Sequence, residues 1–551
     1  MINTKNTLLY IVVTLGLFLN VSAVDYEQIL NAKATPEDWL TYNGTYMSQR
    51  YSELDQINRE NVDQLELKWM LQNQVFGAWQ SNPIVVNDVM YITQRPNDIL
   101  ALDPVSGRVF WQYKYTPSSK SQVCCGANNR GVAILGDKVF MGTLDAHLVA
   151  VDAINGKEIW DVEVGDVDLA YSVTMAPLVI KDKVIVGVGG GEYGIRGYIV
   201  AYDVETGQEA WKFYTIPGPG EPGHETWEGD DWKYGGASVW VTGSYDPELN
   251  LTYWGIGNPG PDWNPKQRPG DNLYSDSVVA LDPDTGELKW YFQFTPNDAY
   301  DYDAVQVPVL VNRKWEGRDR KLMLWANRNG YFYVLDRVTG QFLLGKPFVK
   351  VNWASGLDKN GRPIVTPQPA GMPTWPGNQG GTNWYPPSYS PLTDLFYVAA
   401  WEDYATIYAP LEQEYEPGKL FMGGGFTVKA PVHGAPTIGI GRTTPINNWT
   451  SEVGYGSVKA IDPDTGEHAW RFDQYDVSDG GMLTTASNIL FTGGREGHFH
   501  ALDASTGDHL WKASLGGQIV MPPVTYEING VQYITVISGN AMATFALRNE
   551  N

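Results

Sequence analysis

One phrase recurs along the chain and limits its fold more than any other feature: an apolar pair ending in Asp, a turn closed by Gly, then a Trp. It reads Ala101-Leu102-Asp103 with Gly107 and Trp111, Ala150-Val151-Asp152 with Gly156 and Trp160, and Ala201-Tyr202-Asp203 with Gly207 and Trp211. It returns as Ala280-Leu281-Asp282 with Gly286 and Trp290, Ala460-Ile461-Asp462 with Gly466 and Trp470, and Ala501-Leu502-Asp503 with Gly507 and Trp511. A seventh copy, Val334-Leu335-Asp336 with Gly340, carries Leu344 where the others have Trp. Alternating runs such as Lys138-Val139-Phe140-Met141 and Lys183-Val184-Ile185-Val186 flank the copies and read as strands. Asp can bond its own backbone in a tight turn and Gly supplies positive φ, so each copy is a hairpin carrying an aromatic anchor.

Copies start 49, 51, 79, 54, 126 and 41 residues apart, close to the length of a four-stranded propeller blade wherever nothing is inserted. The 126-residue gap is read as a degenerate blade plus an insertion, with Tyr389 to Ala399 as that blade's outer hairpin. Seven visible copies and one degenerate copy predict an all-β, eight-bladed β-propeller, a single domain over 24–551. A Trp at one fixed place in each repeat is an anchor between adjacent blades. The Pro- and Gly-rich stretches 217–269 and 346–387 are too long for hairpin turns and are expected to cover one end and line a pocket.

Lys and Arg number 39 against 63 Asp and Glu, a net charge of −24, which excludes a surface built for nucleic-acid phosphates or anionic lipid. The apolar run Leu8 to Leu19 is too short to span a bilayer. With Lys5 before it and Val21-Ser22-Ala23 after it, residues 1–23 read as a signal peptide, which predicts export and a mature chain beginning at Val24. Both cysteines, Cys124 and Cys125, are adjacent, so an oxidising compartment leaves two readings: a distorted eight-membered disulfide ring or two free buried thiols.

Other clusters depart from the repeat. Gly189-Gly190-Gly191-Glu192-Tyr193-Gly194 fits the spacing GxGxxG, but a strand follows from Arg196 where a dinucleotide site needs a helix. Such a glycine run still lets backbone amides approach a flat ligand and sets one carboxylate beside it. Asp301 and Asp303, if extended, point to one side, and crowding them is costly unless a cation intervenes. With Glu192 and the amide oxygen of Asn258, in Gly257-Asn258-Pro259, the donors are all oxygen and suit a hard cation, whereas solvated turn acids are the plainer alternative. His498 and His500, two apart on a strand, are a weaker candidate for a shared metal.

Together these clusters resemble the pyrroloquinoline quinone (PQQ)-dependent alcohol dehydrogenases, the quinoprotein methanol/ethanol dehydrogenase family, from Gln56-Ile57-Asn58 through the last repeat. The resemblance implies a quinone near the propeller axis, with Cys124 and Cys125 as a disulfide over one face and Trp240 stacked on the other. It implies that Arg130, Thr174, Gly189, Gly190 and Gly191 hold the cofactor, with Asn383 and Trp384 as further contacts. It assigns Glu192 and Asn258 to the metal, Asp301 to the base and the metal, and Arg328 to the reactive quinone oxygen. Gln80 stands where relatives commonly have Glu, and Gly189 to Glu192 replaces a common Ser-Gly-Ala-Glu.

The implied reaction is oxidation of a primary alcohol to an aldehyde in the periplasm. The chain has no Cys-x-x-Cys-His for covalent haem, so electrons are expected to pass to a separate cytochrome c. Lanthanide-type relatives carry a second Asp at the position of Asp303, and three carboxylates balance a trivalent ion better than calcium. A PQQ-dependent sugar dehydrogenase and a noncatalytic Trp-repeat scaffold compete with this reading, and the family leaves room for a homodimer.

Overall fold

Each short apolar run must pair its backbone groups, and the runs do so as antiparallel neighbours in groups of four. The computed structural model describes residues 23–548 except 78, 370, 429–453 and 477, so the expected signal peptide, save its last residue, lies outside the described residues. Eight four-stranded antiparallel sheets form the blades of a propeller, and Tyr51–Ser52 adds a short parallel strand to one of them. Blades 1 to 7 span 84–113, 133–163, 178–214, 244–293, 309–347, 388–474 and 483–514. Blade 8 joins the two ends of the chain: Leu65–Gln72 pairs with Ala541–Leu547, outside Val531–Ser538 and Val524–Ile528. First strands are mostly buried, as in Ile84–Val86, while last strands are largely open to solvent, as in Glu158–Glu163.

The eight-bladed prediction holds, but its eighth blade was sought in the wrong place. Tyr389 to Ala399 falls in the two inner strands of blade 6, Ser388–Ser390 and Leu395–Glu402, and the copy at Ala460 completes that blade. The true eighth blade has no copy of the phrase because its outer strand comes from the N-terminal side, so no turn joins its third and fourth strands. The remainder of the gap is the loop 348–387, with a small hairpin of Ala354–Leu357 and Pro363–Val365, and a second excursion between Glu402 and Tyr455. The stretch 217–269 is likewise two loops, divided by Ser244–Asp246 and Leu251–Gly255 of blade 4.

The recurrent phrase has a packing reason in each of its letters. Its Ala lies opposite the Trp across the third and fourth strands: Ala101 pairs Trp111, Ala201 pairs Trp211 and Ala280 pairs Trp290. Where Leu344 replaces Trp, its partner is the larger Val334. The Trp reaches the turn of the next blade wherever that blade has one: Trp211 donates Nε1–H to Pro283 O at 2.8 Å and covers Gly286, whereas Trp511, facing blade 8, packs against Phe545. A Cβ on Gly286 would stand 2.6 Å from the Trp211 ring, and its φ is +74°. The same fit joins Trp69 to Gly107, Trp111 to Gly156 and Trp470 to Gly507.

Strand direction then divides the molecule into two ends. The phrase turns join third to fourth strands at one end, and connections between blades and between second and third strands emerge at the other. Every residue of the quinone and metal reading lies on those second-end loops, whereas His498 and His500 lie within the third strand of blade 7, His498–Asp503.

Trp211→Ala should destabilise the fold by about 3–5 kcal/mol, the cost of emptying a buried indole site. Gly286→Ala should cost at least about 1 kcal/mol, because it adds left-handed strain to the clash with that indole. Urea unfolding midpoints check both, and wild-type stability in either variant would refute the docking role.

Candidate active site

A cavity of about 320 Å³ opens on the loop end. Cys124, Cys125, Arg130, Thr174, Gly189, Gly190, Glu192, Trp240, Asp301, Asp303 and Arg328 line it, drawn from loops of blades 1 to 5. Gln80, Gly191, Asn258, Asn383 and Trp384 stand behind that wall. Gln80 Oε1 accepts from Arg130 Nη2 at 3.2 Å, and Trp384 lies beneath the Arg130 guanidinium at 4.6 Å. Asn258 N donates to Asp303 Oδ1 at 2.8 Å, and Asn383 Nδ2 donates to the backbone oxygen of Gln379, itself a cavity residue.

Arg130 organises one side. Its Nη1 donates to Thr174 Oγ1 at 3.1 Å, and its guanidinium also faces the Trp240 ring at 4.9 Å. Charge and aromatic planes therefore meet at one place, which suits a flat ligand with acidic edges. The glycine run forms the adjoining wall: Gly190 has φ +116°, and a Cβ there would lie 2.4 Å from Ala170 O. After the run the chain makes a single 3₁₀ turn, Gly191–Tyr193, and enters the strand Tyr198–Asp203, so no helix follows for a dinucleotide. Cys124 and Cys125 are exposed at the mouth with their sulfurs side by side, which removes the reading as buried thiols. Cys124 Sγ lies 2.8 Å from Glu192 Oε1.

The acidic side is held by Arg328, which is 1% exposed. It pairs with Asp301 Oδ2 at 3.0 Å and Asp303 Oδ2 at 2.5 Å. Asp301 sits in the left-handed region with φ +61°, an uncommon conformation for a residue with a side chain and one that clusters at functional sites. Burial pushes its carboxyl well above the usual range; Arg328 opposes this, while Asp303, Asp298 and Glu192 add to it. Glu192, Asp301 and Asp303 share the cavity, yet among the described residues their carboxylates do not gather within 4.8 Å of one another.

Sequence reasoning missed a second acidic layer behind this one. Asp262, Asp276 and Asp298 are all buried, with Arg268 buried among them. Burial holds Asp262 and Asp276 well above the carboxylate range and raises Asp298 to about 6. The available signal was Asp276 directly before the apolar strand Ser277–Leu281, where a charge is out of place. The two histidines singled out together take different partners: His500 Nδ1 meets His509 Nε2 at 3.1 Å, and His498 Nδ1 meets Ser514 Oγ at 3.1 Å.

Arg328→Met in the metal-free protein should cost about 3–5 kcal/mol by leaving two carboxylates without their paired cation. Urea denaturation at neutral pH measures this, and a loss below about 1 kcal/mol would show that the pairs contribute no more than surface bridges.

Comparison with known proteins agrees with this geometry. The chain matches the family described as "PQQ: Glucose/ethanol/alcohol dehydrogenase, beta-propeller domain" over residues 39–352 and 354–534. It is 40% identical over 554 residues to the quinoprotein alcohol dehydrogenase PedH of Pseudomonas putida, covering 94% of this chain and 89% of that protein. It is 35% identical over 545 residues to the lanthanide-dependent methanol dehydrogenase of Methylacidiphilum fumariolicum, covering 93% and 86%. The solved structure of a europium-containing methanol dehydrogenase superposes with a TM-score of 0.86 at 33% identity, over 95% of this chain and 100% of that one. The protein is therefore a member of the PQQ-dependent alcohol dehydrogenase family.

Proposed function

We propose that the protein oxidises primary alcohols to aldehydes in the periplasm, with PQQ and one lanthanide ion, and passes the electrons to a separate cytochrome c. The observation that carries this reading is Asp301 in a left-handed conformation beside Arg328, on the wall of a cavity also bounded by the Cys pair and Trp240. The cavity fits the quinone by chemistry. It offers an aromatic plane, a glycine wall without Cβ atoms, and Arg130 with Thr174 for acidic edges. The oxygen donors Glu192, Asn258, Asp301 and Asp303 fit a hard cation.

In this reading Trp240 and the Cys124–Cys125 pair would hold the quinone together with Arg130, Thr174, Gly189, Gly190 and Gly191. Gln80 supports Arg130 without adding charge, and Asn383 and Trp384 back the same wall. The bound groups supply a two-electron acceptor for hydride and a Lewis acid that polarises it. Asp301 takes the alcohol hydroxyl proton on a carboxylate oxygen. Arg328 fixes Asp301 through the 3.0 Å pair and keeps a cationic donor beside the reacting atoms.

A lanthanide is favoured over calcium because Glu192, Asp301 and Asp303 bring three carboxylates to one cavity. The net charge of −24 would steer a carrier with a basic face. Export rests on the signal peptide read at 1–23. No helix among the described residues is long and apolar enough to cross a membrane.

Metal-free apoprotein should oxidise alcohols in the presence of an artificial acceptor after refilling with PQQ and a light lanthanide. Asp303→Ala should lower that rate by about 100-fold while leaving the fold intact. Inactivity with every metal would overturn the function, and full activity with calcium alone would overturn the metal. Intact-mass measurement after alkylation without reductant should find no labelled cysteine, and two labels would refute the disulfide.

A further inference from the structure

Arg268 lies within the Pro- and Gly-rich stretch 217–269 but in none of the candidate site clusters, and it is 1% exposed. Its Nε donates to Pro261 O at 3.2 Å and one Nη2 contact goes to Asp262 O at 3.3 Å, both in the loop that begins at Asn258. Nη2 also donates to Asp298 O, at the start of the segment that carries Asp301 and Asp303, and Nη1 donates to Asn272 Oδ1 at 3.0 Å. One guanidinium thus fastens the Asn258 loop to the Asp301 loop from behind. None of these hydrogen bonds goes to a carboxylate, although Asp262 Oδ1 and both oxygens of Asp276 are buried and accept no hydrogen bond from the described residues. Neutralising carboxylates needs only a nearby positive charge. Spending the whole planar fork on three backbone carbonyls and one amide fixes geometry, which a lysine cannot reproduce.

The two loops meet again at the cavity, where Asn258 N donates to Asp303 Oδ1 at 2.8 Å. They are therefore tied at two points, by Arg268 at depth and by this bond at the surface of the cavity. A further tie, Asp276 N to Gly257 O at 3.1 Å, binds the loop after Arg268 to the residue before Asn258. We infer that Arg268 is a positioning residue for the metal site: it sets the separation between Asn258 and the Asp301–Asp303 pair, and with it the affinity for the ion. This rests on the proposed reading of those residues as metal ligands.

The test is binding of terbium(III) to PQQ-loaded protein, measured by equilibrium dialysis with metal analysis, alongside melting temperatures with and without terbium. Wild type should bind one ion. Arg268→Lys, which keeps the charge, should raise Kd by about 10- to 100-fold and shrink the terbium-induced rise in melting temperature. If Arg268→Lys does not fold, Asn272→Gly takes its place. Asn272 has φ +57°, so Gly tolerates that backbone while freeing Nη1, and about a tenfold rise in Kd is expected. A merely structural role would lower the metal-free melting temperature and leave Kd and the terbium-induced shift at wild-type values, which would overturn the inference alone. Failure of the wild type to bind terbium would instead overturn the metal reading and this role with it.

Discussion

The structure depends on an indole laid over a glycine in the next blade. A flat Trp can lie against a turn only where no Cβ intervenes, and its Nε1–H must find a carbonyl when buried. Trp211 over Gly286, with Pro283 O as acceptor, satisfies both conditions, and Trp69, Trp111 and Trp470 repeat the arrangement, while Trp290 covers Gly340 with no acceptor for its Nε1 among the described residues. Repeated contacts of one shape fix one angle between neighbours, so the ring closes where the first and last strands of the propeller pair in blade 8. Blade 5 departs from the pattern by the same logic: it has Leu344 in place of Trp, and Gly466 of blade 6 packs against Leu344 and Lys346.

The alternation of four antiparallel strands has a second consequence. Because the docking turns occupy one end of the blades, the other end carries the longer connections and is free to vary. Loops distant in sequence meet around the axis: Gln80 touches Arg130, Arg130 touches Thr174 and Trp384, and Asn258 touches Asp303. The excursion from blade 6 reaches the same place, since Phe421 N donates to Glu192 O at 2.7 Å. A rigid ring can hold groups that repel one another, which a mobile loop cluster would relax away.

Much of this was legible in the sequence, and what was not has a physical cause. The phrase at Ala101, Ala150 and the other copies is legible because docking repeats the same residues at the same spacing. Blade 8 is hidden because its fourth strand, Leu65–Gln72, lies at the opposite end of the chain from its partners. The cavity residues stood out as departures from the repeat, whereas Arg268, Asp262 and Asp276 did not. A buried charge looks like a solvated one until its surroundings are known, and Arg268 sits in an ordinary polar loop, Asn264-Pro265-Lys266-Gln267-Arg268. Asn258 was recognisable as a candidate ligand, but the guanidinium that fixes its loop takes backbone carbonyls, which leave no trace in side-chain patterns.

The electrostatics of the site make the base and the cation one problem. Glu192, Asp301 and Asp303 face one cavity, with Asp262, Asp276 and Asp298 behind them, and the buried guanidiniums among them are Arg328 and Arg268. Two like charges about 4 Å apart repel by about 4 kcal/mol at an effective dielectric constant of about 20, so such a set cannot be fully ionised without more positive charge. Protons would relieve it, and burial with acidic neighbours raises the Asp301 carboxyl in that direction, as it does those of Asp262 and Asp276. A protonated Asp301 cannot act as a base. On the proposed reading, a multivalent cation relieves the same repulsion while leaving Asp301 ionised, so metal binding and readiness for proton abstraction rise together. The position of Asn258 relative to Asp303 then matters twice, once for holding the ion and once for keeping the base free of its proton.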